Sequence, residues 1–127
     1  MNLPRFDSAR VLTIGDAMLD RYWHGATSRI SAEAPIPVVD VDVVEDRLGG
    51  AANVVLNVSA LGAISALVAT LGDDEYGGII RNKLASAGIS DLCVLSPEHQ
   101  TVAKLRIGSQ GQQLVRADFE EIKDSPF

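Results

Sequence analysis

The chain has 127 residues and a formal net charge of −6; 46% of its residues are hydrophobic and 22% are charged. These values are typical of a globular domain with a hydrophobic core, and the acidic balance disfavours a nucleic-acid or membrane partner, since both need a clustered basic face. Residues 1–7 lack the apolar core of a signal peptide and Cys93 is the single cysteine, so we expect a cytoplasmic protein without an internal disulfide.

The first predicted elements are two strands separated by a polar segment. Val11–Ile14 is a short apolar run closed by Gly15, which is typical of a buried strand. Residues 22–35 are predicted to be irregular. Val39–Val43 alternates between valine and aspartate, which indicates a strand with one apolar and one wet face. Because this strand lies far from any helix partner, we expect residues 22–46 to form a flap outside the central sheet.

A helix and a second strand follow the flap. Residues 51–61 carry an apolar stripe with spacings of three and four, and Gly62 is placed to end this helix in the left-handed conformation. Residues 66–71 are predicted to form a second buried strand. The stripe consists of Ala51, Val54, Val55, Val58 and Leu61.

A second helix and a third strand complete an alternating pattern. The helix is predicted over residues 75–87, with Asp73 and Asp74 as candidate caps and Gly88 at its end. Residues 91–95 form the third strand. Strands that alternate with helices predict an α/β fold with a parallel sheet and crossover helices.

The last predicted element is a hairpin. Residues 101–107 and 112–119 flank the segment Gly108–Gly111, which fits a glycine-containing loop.

Three cations cluster on this hairpin. Lys104 and Arg106 are two residues apart, so both project from one face of their strand, and Arg116 lies on the partner strand. One interpretation is a solvated face with cross-strand ion pairs, which stabilise little. The alternative is that one or two of these cations bind a phosphate group of the substrate, for which the planar fork of arginine is well suited.

A pair of glycines before the first helix is a candidate ligand site. Gly49 and Gly50 allow close approach of a ligand to the main chain, and the helix that follows leaves its first N–H groups unpaired. Asn53 in the first turn both donates and accepts hydrogen bonds. The combination suits a small polyhydroxylated or anionic ligand; the alternative is a simple turn with Asn53 facing water. Neither a G-x-x-x-x-G-K-[ST] loop nor a G-x-G-x-x-G fingerprint occurs in the sequence.

Two aspartates near the first strand are further candidates. Asp16 follows Gly15 at the carboxyl end of that strand, where ligands collect in open α/β sheets. Asp16 fits equally well as the cap of a turn. Asp20 is a candidate to share ligand binding with Asp16. His24 and His99 lack partners at ligand spacing, so no metal site is assigned.

Taken together, these motifs resemble the N-terminal half of a ribokinase-family (PfkB-type) sugar kinase, and within it the heptose 7-phosphate kinases of lipopolysaccharide precursor synthesis. The resemblance covers nearly the whole chain and implies a ribokinase-like fold, a parallel sheet with crossover helices and a small β flap. Residues 1–127 would be the N-terminal part of such a kinase domain. The runs that carry it are Gly15–Trp23, Thr27–Ser31, Glu33–Val39, Arg47–Val58, Ala60–Ala63 and Leu71–Asp74.

The resemblance also implies roles for the candidate residues. The family aspartate that matches Asp16 binds sugar hydroxyls, and Gly49, Gly50 and Asn53 would hold the same sugar. The reaction would transfer the γ-phosphoryl group of ATP, with Mg²⁺, to a sugar hydroxyl. For the heptose kinases the acceptor is heptose 7-phosphate and the product is its 1,7-bisphosphate.

One family motif is missing from the sequence. The C-terminal Gly-Ala-Gly-Asp motif, whose aspartate is the catalytic base in the family, does not occur. We therefore assign no catalytic, ATP-binding or metal-binding residue and expect this polypeptide alone to be inactive. Two alternatives stay open: another ribokinase-family sugar or nucleoside kinase, and a non-catalytic sugar-binding or dimerisation module.

A homodimer is expected through the flap. Val39, Val41 and Val43 are predicted to make one apolar face, with Asp40 and Asp42 on the other. A two-stranded flap cannot bury such a face by itself. Flaps of this family often serve as a dimer clasp, which favours pairing with a second copy.

Overall fold

A parallel α/β layer and a separate four-stranded sheet make up the computed structural model, which describes residues 4–120. The parallel strands alternate with the helices as the sequence predicts. The elements in chain order are β1 (Arg10–Ile14), β2 (Ala17–Ile30), β3 (Pro37–Gly50), α1 (Ala51–Ala60), β4 (Ile64–Val68), β5 (Thr70–Gly72), α2 (Glu75–Ser86), β6 (Ser90–Asp91), β7 (Val94–Ser96), β8 (Val102–Ser109) and β9 (Gln112–Phe119).

The α/β layer contains two small parallel sheets in succession. One has the order β1-β4-β6, and β5 pairs with β7 in the other. The strands predicted over 66–71 and 91–95 are both present, but each is divided into two short strands. The predicted α/β class with parallel strands is confirmed.

The hydrophobic core lies where the helices meet the parallel strands and the base of the four-stranded sheet. Leu67, Leu71, Ile80 and Leu84 are fully buried there, together with Leu19 from the base of the four-stranded sheet. Neither helix in the described part of the chain is long and apolar enough to cross a membrane.

Two predicted burial patterns are wrong. In α1 the buried residues are Ala52 and Val55, whereas Val54 of the predicted stripe is 52% exposed. The helix is rotated about its axis relative to the predicted stripe, because its packing partners decide which face is covered. In β1, Ile14 is 71% exposed, since β1 is an edge strand whose pairing partner in the described sheet is β4 alone.

The predicted helix ends are confirmed. Gly62 and Gly88 have φ angles of 97° and 70°, the left-handed conformation that ends a helix. At the start of α2 the Asp74 carboxylate accepts a hydrogen bond from the Gly77 N–H at 2.8 Å. The other Asp74 oxygen accepts from the Thr101 N–H at 2.8 Å, which ties α2 to the start of β8.

The four-stranded sheet has the order β3-β2-β8-β9. Strand β2 is antiparallel to β3 from Ala17↔Gly50 to Ile30↔Pro37 and parallel to β8. The prediction of an irregular segment over 22–35 is therefore wrong for residues 22–30, which belong to β2, and is confirmed for residues 31–35. Residues 22–30 show no regular alternation of apolar and polar residues, but β3 offers their backbone a partner along the whole length, and such long-range pairing overrides the local pattern.

A β-bulge divides the predicted valine face of β3. Val41 pairs with Gly25, but Val43 pairs with His24, because the register shifts between these neighbours in β2. Neighbouring residues of a strand point to opposite faces. Val43 is therefore separated from Val39 and Val41, which corrects the predicted three-valine face.

The predicted hairpin is confirmed as β8 and β9, with a tighter turn than expected. Gln110 and Gly111 have φ angles of 51° and 76° and form a two-residue connection. Two consecutive positive φ angles are typical of turns that match the twist of the flanking strands.

Candidate functional site

The start of α1 is fixed by a close backbone contact. The Ala51 N–H donates a hydrogen bond to the Asp16 carbonyl at 2.8 Å. Gly50 has a φ of 58°, and a Cβ added to it would lie 2.4 Å from the same carbonyl oxygen. Only glycine fits this position, so Gly50 holds the β1–β2 turn against the helix N-terminus.

Gly49 makes room for a carboxylate. A Cβ at this position would lie 2.7 Å from Asp20 Oδ2 and 2.7 Å from Met18 Cγ. The absence of a side chain at Gly49 therefore allows Asp20 to lie flat against β3.

An open cavity of about 680 Å³ lies between the four-stranded sheet and the two helices. Its volume is in the range of small-molecule sites. Acidic, basic and amide side chains converge on it from three directions. The sheet contributes Asp20, Tyr22, Asp46, Arg47 and Leu48, α1 contributes Asn53 and Leu56, and α2 contributes Lys83, Ser86 and Ala87.

Three predicted residues meet at this cavity. Asp20 and Asn53 line it, and Gly49 borders Asp20. Asp16 and Gly50 are not among the lining residues; they are joined at the helix N-terminus beside it.

The hairpin cations lie next to the cavity but do not line it. Arg106 Nη1 donates to Asp20 Oδ1 at 2.9 Å, and both side chains are about one fifth exposed. Its hydrogen bond with Asp20 raises the pKa of Arg106, which stays charged. Arg116 is held by Asp118 at 2.9 Å, and Lys104 lies opposite Asp118 in the register of the two strands.

Sequence reasoning missed two cations of the cavity wall, Arg47 and Lys83. Arg47 is two residues before Gly49 on the same strand, so a period of two would have placed both on one face. No local signal points to Lys83, because its position depends on how α2 packs against the sheet.

Carboxylates on the sheet hold its arginines in place. Arg21 donates to Asp46 at 2.7 and 3.0 Å, and this hydrogen bonding raises the pKa of Arg21. Arg47 donates to Glu45 at 2.8 and 3.0 Å. The same contact lowers the pKa of Glu45, so both members of that pair are charged.

The family model for pfkB family carbohydrate kinases matches residues 8–125. The chain belongs to this family. The predicted family and the predicted ribokinase-like fold are thereby confirmed.

Within the family, the chain is similar to one type of curated protein. The bifunctional protein HldE of Pseudomonas putida (strain W619) is 55% identical over 121 residues, which cover 95% of this chain and 26% of that protein. HldE of Pseudomonas fluorescens (strain Pf0-1) is 56% identical over the same shares. The chain thus spans about a quarter of the length of these relatives.

Solved structures share the fold. A carbohydrate kinase from Agrobacterium tumefaciens has a TM-score of 0.70 at 20% identity, over 87% of this chain and 35% of that one. Microbiome-derived acarbose kinase Mak1 has a TM-score of 0.65 at 27% identity, over 93% of this chain and 38% of that one. A fructokinase from Xylella fastidiosa with bound ATP has a TM-score of 0.63 at 21% identity, over 89% of this chain and 33% of that one.

Proposed function

We propose that this chain is the sugar-binding part of a kinase that transfers the γ-phosphoryl group of ATP to a sugar phosphate. The acceptor we propose is D-glycero-β-D-manno-heptose 7-phosphate, which would give the 1,7-bisphosphate. Family membership supports the reaction class, and the resemblance of Gly15–Trp23 and Glu33–Val39 to heptose 7-phosphate kinases supports the acceptor.

The observation that carries this proposal is the composition of the cavity wall. Asp20 and Asn53 supply acceptors and donors suited to hydroxyl groups, whereas Arg47 and Lys83 supply positive charge. A ligand that has several hydroxyls and one anionic group matches both halves of this wall. A neutral sugar would bring no anionic group to these cations.

The residues of this chain would act by positioning. Phosphoryl transfer depends mainly on placing the acceptor and on stabilising charge. The Asp20 carboxylate would accept hydrogen bonds from two sugar hydroxyls, and the Asn53 amide would fix a third group. The four-stranded sheet would cover the sugar and exclude water.

ATP and Mg²⁺ are expected as co-substrate and metal. In residues 4–120 no group of three or more His, Cys, Asp or Glu side chains could hold a metal ion. We assign no residue of the described chain to Mg²⁺, to ATP or to the catalytic base.

The test is a phosphoryl-transfer assay with the complete gene product. Heptose 7-phosphate, fructose 6-phosphate, ribose and adenosine are offered with ATP, and the phosphorylated product is followed by ³¹P NMR. Preferred turnover of heptose 7-phosphate is the expected result. Preference for ribose or adenosine would favour another ribokinase-family kinase, and sugar binding without turnover would favour a non-catalytic module.

We further propose a homodimer through the outer face of the four-stranded sheet. An apolar groove of about 480 Å³ lies on that face. Ile36, Val41, Leu114 and Val115, which line it, are each between 43% and 56% exposed, so the groove leaves apolar surface in water. Its lining residues are Trp23, Ile36, Pro37, Val39, Val41, Ile107, Leu114 and Val115.

A further inference from the structure

The ring of Tyr22 lies between two guanidinium groups on the cavity side of the four-stranded sheet. Arg47 Cζ is 4.6 Å from the ring centroid and Arg106 Cζ is 5.1 Å from it. Arg47 comes from β3 and Arg106 from β8, the two strands that flank β2. The electron-rich face of an aromatic ring attracts cations, so Tyr22 holds one guanidinium group from each neighbouring strand close to its ring.

Each guanidinium has donors to spare. Arg106 uses Nη1 for Asp20, and Arg47 uses Nε and Nη2 for Glu45. A guanidinium carries five N–H donors, so each group keeps N–H donors beyond those that its carboxylate occupies. The acceptor oxygens of a phosphate monoester suit the free N–H donors of a guanidinium group.

The charge of this face favours an anion although the chain carries a net charge of −6. Around Tyr22 the strand registers place charged residues side by side on this face, and the cations there outnumber the carboxylates. The cations are Arg47, Lys104, Arg106 and Arg116, and the carboxylates are Asp20, Glu45 and Asp118. Lys83 on α2 adds positive charge across the cavity.

We propose that Arg47 and Arg106 receive the phosphate group of the acceptor sugar, and that Tyr22 is the positioning residue that holds both guanidiniums. This inference rests on the proposed function, since it names the part of the same site that distinguishes a sugar phosphate from its parent sugar. Arg47 and Tyr22 line the cavity beside Asp20. Arg106 does not line it but is hydrogen-bonded to Asp20, so a ligand that contacts Asp20 and Arg47 lies next to Arg106.

The test compares two variants of Tyr22 in the complete gene product. Calorimetric titration gives the affinity for heptose 7-phosphate and for the unphosphorylated heptose. We expect Tyr22→Leu to weaken binding of the phosphorylated sugar by about tenfold and to leave the parent sugar within about twofold. Tyr22→Phe keeps the aromatic face, so it should keep the preference for the phosphorylated sugar.

Charge variants keep the test decisive if Tyr22→Leu fails to fold. Arg47→Gln and Arg106→Gln should each lower the affinity for the phosphorylated sugar about tenfold or more, with a smaller effect on the parent. Arg81→Gln is the matched control, because it removes the same charge from an exposed arginine that Asp91 holds outside the cavity. Equal losses on both sugars, or losses as large in Arg81→Gln, would overturn the inference.

Two more ligands separate the sources of phosphate. If the variants weaken binding of ATP and leave heptose 7-phosphate unaffected, the guanidiniums serve the nucleotide and the inference is wrong. If the wild type binds fructose 6-phosphate in place of heptose 7-phosphate with the same variant pattern, the inference holds and the proposed acceptor is wrong. If the wild type binds no sugar phosphate, both are wrong.

Discussion

Asp20 and Arg106 are 86 positions apart in the sequence, yet the Arg106 Nη1–Asp20 Oδ1 distance is 2.9 Å. The pair joins the carboxylate that we propose for sugar hydroxyls to the cationic face of the sheet. Because both side chains are about one fifth exposed, water screens this pair less than an open surface pair. Arg106 uses one N–H for Asp20 and keeps others, so a phosphate can bind Arg106 while this hydrogen bond is kept.

The first prediction concerns that carboxylate. In the complete gene product, Asp20→Asn should lower the affinity for the acceptor sugar at least about tenfold, since hydrogen bonds to a charged group contribute about 1.5–3 kcal/mol each. Asp16→Asn is the comparison, because Asp16 is not among the lining residues of the cavity. Calorimetric titration measures the sugar affinity of both variants. A larger loss of affinity for Asp16→Asn than for Asp20→Asn would show that Asp16 is the carboxylate that binds the sugar.

The second prediction separates the two glycines of the site. Gly50→Ala should destabilise the fold by about 1–3 kcal/mol, since it combines a positive φ with a backbone clash. Gly49→Ala should act mainly on affinity, because its clash is with the Asp20 and Met18 side chains, which can move.

Urea unfolding and sugar titration of both variants give the two quantities. Gly78→Ala is the control: Gly78 lies in α2 with nothing within 4 Å of an added Cβ, so alanine should stabilise by roughly 0.5–1 kcal/mol. If Gly49→Ala lowers the unfolding free energy as much as Gly50→Ala and binds sugar with unchanged affinity, the proposed role of Gly49 is wrong.

The third prediction is a pH dependence at the start of α2. Burial tends to raise the pKa of Asp74, but hydrogen bonds from the Gly77 and Thr101 N–H groups outweigh it and lower the pKa below the ordinary value. A lowered folded-state pKa gives stability that is present above the unfolded value of about 3.9 and is lost as the pH falls through the folded value.

Asp74→Ala should therefore cost about 1–2 kcal/mol of unfolding free energy at pH 7 and progressively less below about pH 4. Urea unfolding at pH 7, 4 and 3 measures this difference. Asp73→Ala is the control, since Asp74 is the residue that caps α2. A constant difference between wild type and Asp74→Ala across this range would contradict the linkage.

Local signals in the sequence predicted the helix ends, because these depend on the chemistry of one or two residues. Gly62, Gly88 and Asp74 end or cap their helices as expected, because a positive φ or a side-chain acceptor is needed at those positions. The register of β2 against β3 was not predictable from residues 22–30 alone, since their partner lies in another strand of the sheet.

The residues of the candidate site also divide into those that local sequence signals predict and those that depend on long-range packing. Asn53 follows from its place in the first turn of a helix, and Asp20 from its place near a strand end. Lys83 reaches the cavity because α2 packs beside the sheet, which is a long-range outcome. The bulge that separates Val43 from Val41 is likewise a property of two paired strands and not of either alone.

The fourth prediction uses that bulge to test the proposed dimer. Val41 lines the apolar groove on the outer face of the sheet, whereas Val43 pairs with His24 and is not among the lining residues. Both valines are about half exposed, at 43% and 50%, so either aspartate substitution should leave the fold intact. In a two-fold contact each substitution acts twice, and Val41→Asp should convert the dimer to a monomer in sedimentation velocity. Val43→Asp should remain dimeric.

A wild type that sediments as a monomer at high concentration, or a Val43→Asp variant that dissociates as readily as Val41→Asp, would contradict the proposed interface.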